Sequence, residues 1–147
     1  MKNTSKNLKV FRSLTLVTLC SLVLEFVLGI YNALFIEFPD SLVNGNGWAW
    51  SIKESPIIMA HVIVGSILLL FTILTVIFGL RSRSKPAIIW SVSGLVLTLL
   101  AYMSGSVFLS NVADDNYSFL MALGFIGALV TYGAAFYLTH PTSQVAS

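Results

Sequence analysis

The sequence predicts an all-α integral membrane protein, a bundle of four transmembrane helices forming a single domain, with both termini cytoplasmic. Three observations predict it. Of 147 residues, 56% are hydrophobic and only 10% charged, with a mean hydropathy of +0.89, far from the averages of soluble globular domains. A helix of ~20 apolar residues crosses a ~30 Å hydrocarbon core, and runs of that kind recur at 13–36, 57–80, 87–110 and 117–138. Lysine and arginine are also unevenly placed, as cytoplasmic flanks require: Lys2, Lys6, Lys9 and Arg12 precede the first span and Arg81, Arg83 and Lys85 fill the second turn, whereas the other two connections hold only Lys53.

Each span has its own punctuation. The first follows a basic segment, as a secretory signal does, but it is too long and ends at Phe35-Ile36-Glu37 without a small-residue cleavage site, so it reads as a retained helix. Ser55-Pro56 opens the second, with Ser as N-cap and Pro in the first turn, and Pro86 opens the third in a similar way. His140-Pro141 closes the fourth. The long connection from Glu37 to Ser55 contains the turn signal Asn44-Gly45-Asn46-Gly47 and then Trp48-Ala49-Trp50, and it reads as an aromatic loop that covers the outer mouth or rests on headgroups. Gly124, Ala128, Thr131 and Ala135 make a small-residue stripe on the fourth span, and Gly29 and Ala33 a shorter one on the first, both read as helix-packing surfaces.

Several classes are excluded. The few basic residues sit at membrane flanks without interleaved stacking aromatics, which argues against nucleic acid as a partner. Cys20 is the sole cysteine and supports neither an intrachain disulfide nor a Cys-based metal motif. The chain has no phosphate-binding glycine loop, no nucleophile elbow and no His-Glu-x-x-His helix.

Chemistry must then come from the few polar groups within the spans. Glu25 is the only acid within one, and an ionisable group at that depth marks a site or needs a partner. Counting ~1.5 Å per residue from the outer helix ends places His61 level with Asn32, Ser106 and Met121 or Ala122, and places Glu25 deeper, near Tyr102, Thr98 and Thr131. By this count Glu25 and His61 stand seven residues apart, ~10 Å, too far to touch. Glu25 then reads as a neutral, hydrogen-bonded acid beneath His61 rather than a ligand. His61 has three readings: a structural hydrogen bond between helices, a proton shuttle with Glu25, or an axial ligand to haem iron with Met121 as the partner ligand.

The order of features carries a resemblance. Gly29-Ile30-Tyr31-Asn32, then Phe38-Pro39-Asp40 and a later Gly-Trp, then Met59-Ala60-His61-Val62-Ile63-Val64-Gly65 resembles one four-helix half of the haem A synthase family. The resemblance implies a His near the outer end of the second helix, matched by His61, and another near the outer end of the fourth, where Met121 stands. Val62 occupies the position after the first His where that family usually has Arg.

The leading expectation is therefore a membrane protein binding haem b in a redox or haem-handling role. His61 and Met121 are the axial ligands, and Glu25, Asn32 and Tyr102 are supporting or proton-path groups. The alternatives are a non-catalytic tetraspan subunit of a larger membrane complex or a homo-oligomer, and a proton-coupled carrier using Glu25.

Overall fold

The computed structural model describes residues 2–39, 42, 47–111 and 115–139. These form five helices: α1 (Lys2–Phe35), α2 (Gly47–Glu54), α3 (Pro56–Ser82), α4 (Lys85–Ser110) and α5 (Asp115–Leu138), with no strand among the described residues. All but α2 are long and apolar enough to cross a membrane. The expected four-helix architecture is present, with longer helices than the apolar runs alone implied. α1 begins at Lys2 because Lys and Leu are good helix formers and nothing before Ser13 breaks the helix. The expected loop holding Trp48 and Trp50 is instead helical, a correction considered below. Asn44, Gly45, Asn46 and the expected stop at His140-Pro141 lie outside the described residues.

α1, α3, α4 and α5 stand in that order around a ring. α4 and α5 pack most closely and α1 and α5 least, while α2 lies on α3 and α4. The Ser55 hydroxyl accepts from the Ile58 N–H at 3.5 Å, capping α3 with Pro56 in its first turn. The α3–α4 turn is made by Arg83 in the left-handed region (φ 55°), whose N–H returns to the Leu80 carbonyl. This strained choice for a non-glycine residue keeps the connection short.

At the end of the bundle that carries the termini, the interior is filled. Tyr132 is fully buried among Leu22, Leu68 and Ala128, and Gly94 faces it so closely that a Cβ there would stand 2.5 Å from the Tyr132 Cζ. Phe11, Ala87 and Ala135 make a second cluster closer to the termini, with Trp90 against it. The α5 stripe of Gly124, Ala128, Thr131 and Ala135 is buried as expected. At Gly124 a Cβ would lie 2.9 Å from both the Leu97 carbonyl oxygen and the Ala101 nitrogen, so the missing side chain sets the α4–α5 approach.

Several buried threonines in this half donate within their own helices, while the Tyr132 hydroxyl is buried without a hydrogen-bond partner. Thr15 donates to the Phe11 carbonyl, Thr75 to that of Phe71 and Thr98 to that of Gly94. This back-bonding is the ordinary fate of Ser and Thr in an apolar helix.

Candidate functional site

At the α2 end the ring does not close on itself, and a cavity of about 530 Å³ lies between the four long helices. Its size falls within the range of small-molecule and cofactor sites. Glu25 and Asn32 from α1, His61 from α3, Tyr102 and Ser106 from α4, and Met121 from α5 all line it. The five site residues expected from the sequence therefore share one cavity. Thr131, expected near Glu25, is not among the residues that line it.

The relation between Glu25 and His61 overturns the depth count. Glu25 Oε2 lies 2.6 Å from His61 Nδ1, with side-chain exposures of 7% and 25%. The separation is that of an ion pair, but the two atoms lack hydrogen-bond alignment, and neither has another hydrogen-bond partner. The count failed because it assumed level helix ends. In the structure Gly29, not Asn32, faces His61: a Cβ at 29 would lie 3.6 Å from the imidazole Cε1. That shifts the α1–α3 register by three positions, ~4.5 Å, and the remaining four residues of rise, ~6 Å, are spanned by the two side chains.

Two glycines that the sequence reading did not assign to the site make this pairing work. A Cβ at position 65 would stand 2.5 Å from Glu25 Oε1, so the carboxylate could keep this position only against glycine. Glu25 thus sits over Gly65 of α3, and His61 sits over Gly29 of α1. Each acidic or basic group has its glycine four residues later on its own helix, and in an antiparallel pair that spacing is reciprocal, one helix's side chain meeting the other's gap. The matched spacing, Glu25 to Gly29 and His61 to Gly65, was the available signal. Gly29 and Ala33 accordingly are not the packing stripe expected of them. Gly29 admits the imidazole, and Ala33 is exposed and lines the cavity.

The other expected residues take distinct positions. Met121 Sδ rests 3.0 Å from where a Cβ on Gly105 would be, on the α4–α5 side. Since α3 and α5 are diagonal in the ring, His61 and Met121 approach the cavity from opposite helices. Asn32 Oδ1 is buried without a hydrogen-bond partner. The Tyr102 hydroxyl is 3.2 Å from Ser66 Oγ, an α3–α4 bridge.

α2 roofs the cavity. The Trp48 indole N–H donates to Ser110 Oγ at 3.3 Å, and Phe38 packs on both Trp50 and Phe108, with ring centroids 5.2 and 5.8 Å apart. Trp48, Phe38 and Phe108 all line the space beneath. Eight residues are too few to show a helical period, so the sequence read this segment as a loop.

The carboxylate beside Nδ1 leaves Nε2 as the imidazole nitrogen for a ligand. A histidine bound to a metal nearly always carries such a second contact, which fixes ring orientation and raises basicity. Among the described residues no cluster of three or more His, Cys, Asp or Glu could hold a bare metal ion. The donor set of one imidazole and one thioether, within largely apolar walls, instead suits an iron already held in a macrocycle. The described lining has no Lys or Arg and includes Asp115 as well as Glu25, so acidic groups of a ligand would depend on the hydroxyls of Ser106 and Ser118.

Fold and site together define an all-helical protein with four helices of membrane-crossing length and a carboxylate–imidazole pair inside an apolar cavity. Comparison with known proteins found no matching family model, no matching curated protein and no matching solved structure.

Proposed function

We propose that this chain is a multi-pass membrane protein, both termini cytoplasmic, that binds haem b in its outer half and serves a redox or haem-handling role. The observation that carries the reading is the contact of Glu25 with His61 Nδ1 at the wall of a cavity that Met121 also lines. Bound haem supplies one-electron chemistry at its iron. His61 binds through Nε2 and Met121 from the diagonal helix through its thioether. Glu25 holds the imidazole plane, and the small residues Gly29, Gly65 and Gly105 keep the walls clear of side chains. The placement of Lys and Arg supports the orientation, because the cations of the N-terminal segment and the α3–α4 turn lie at one end, and Glu37, Glu54 and Asp115 with the single Lys53 at the other.

The test is spectroscopic. Protein expressed with haem supplied and purified in detergent is expected to show a Soret band that shifts with dithionite. His61→Ala is expected to abolish it. Glu25→Gln, which keeps the shape but removes the charge, is expected to weaken haem affinity about 10- to 100-fold, as loss of a contact behind a metal ligand does. A colourless wild-type protein sinks the proposal.

A further inference from the structure

The haem reading leaves open how any ligand reaches the cavity, and the walls are unequal. α2 covers the α3–α4 side of the outer end, through the Trp48–Ser110 bond and the Phe38 aromatic contacts. Three of the four seams between long helices are bridged by direct contacts. α1 meets α3 through Glu25 and His61, α3 meets α4 through Ser66 and Tyr102, and α4 meets α5 at backbone contact around Gly124. The α1–α5 seam is different. Phe26 stacks on Phe125, centroids 5.7 Å apart, but Phe26, Ile30 and Ile126 are 50%, 42% and 56% exposed while also lining the cavity. Among the described residues, most of those that are at once outer surface and cavity wall lie on this seam, Ala33 and Ala122 included; Tyr102 and Asp115 are the exceptions elsewhere.

We propose that the cavity is loaded sideways, through the α1–α5 seam, by a membrane-dissolved amphiphile. Its apolar body lies along the seam and its polar end meets Glu25, Asn32 and His61. The buried, unpartnered Asn32 Oδ1 specifies a hydrogen-bond donor on that polar end, since a buried acceptor without a partner is costly. The inference rests on the membrane and ligand-site readings above and not on the presence of iron.

The experiment uses the full chain in liposomes, with Cys20→Ser and a nitroxide on Ser106→Cys, on the wall of α4 diagonal to α1. A second nitroxide on Met121→Cys repeats the measurement from α5. Power-saturation electron paramagnetic resonance then compares relaxation by oxygen, which partitions into the bilayer, with relaxation by a water-soluble nickel chelate. The expected result is strong relaxation by oxygen and little by nickel at both positions, with the oxygen effect at 106 falling when Ala33→Trp and Ala122→Trp fill the seam. Relaxation mainly by nickel, by neither agent, or by oxygen to an undiminished degree in the filled-seam variant overturns the proposal. Failure of the haem reading is separately visible as the missing Soret band and leaves these outcomes intact.

Discussion

The two halves of the bundle use the same four helices to opposite ends. Toward the termini, large side chains meet glycines and fill the space, as Tyr132 does against Gly94, and buried threonines such as Thr75 and Thr98 donate to carbonyls one turn back in their own helices. Toward α2, the side chains that meet glycines are Glu25 and His61, the space beside them is hollow, and Asn32 is left with an unanswered acceptor. The difference teaches how to read polarity in an apolar bundle. A threonine bonded within its helix is packing, whereas an ionisable pair beside a cavity has been kept despite its cost.

Substitutions can break or sharpen that contrast. The largest expected effect is in the filled half: Tyr132→Ala removes a fully buried ring and is expected to cost about 3 to 5 kcal/mol, measured as the shift in a reversible detergent-unfolding curve. Gly65→Ala tests the hollow half. Its Cβ would displace the Glu25 carboxylate, the movable end of that side chain, so an overpacking cost of about 1 kcal/mol is expected together with loss of haem affinity. Gly29→Ala, where the new Cβ meets the imidazole at ordinary contact distance, is expected to retain both; equal damage from the two would refute the asymmetric fit. The smallest effect is expected for Thr18→Val. Its hydroxyl is 3.4 Å from that of Thr75, and hydrogen bonds between membrane helices average about 0.6 kcal/mol, so the same unfolding measurement should barely move.

How much of this was legible in the sequence varies by scale. The four long helices were, because runs of ~20 apolar residues leave few alternatives. Ser55-Pro56 and the α5 stripe were also legible, since capping and close approach are local or periodic properties. The shared cavity was partly legible: depth counting brought His61, Asn32, Ser106 and Met121 to one level, and all four line it. The contact of Glu25 with His61 was not. It depends on an α1–α3 register offset of three positions and on two side chains that together span a turn, and neither leaves a mark in an apolar run. α2 was hidden for a different reason, being too short for its period to stand out from a loop with the same aromatic content.

The crosswise fit of Glu25 over Gly65 and His61 over Gly29 also makes the helix pair a gauge of sliding. Moving α1 lengthwise by one residue, ~1.5 Å, carries the carboxylate off its gap and brings the Gly29 gap out of line with the imidazole in the same stroke. A piston displacement of α1 driven from its N-terminal extension, 2–12, would therefore be read out at a single imidazole toward the other end of the bundle.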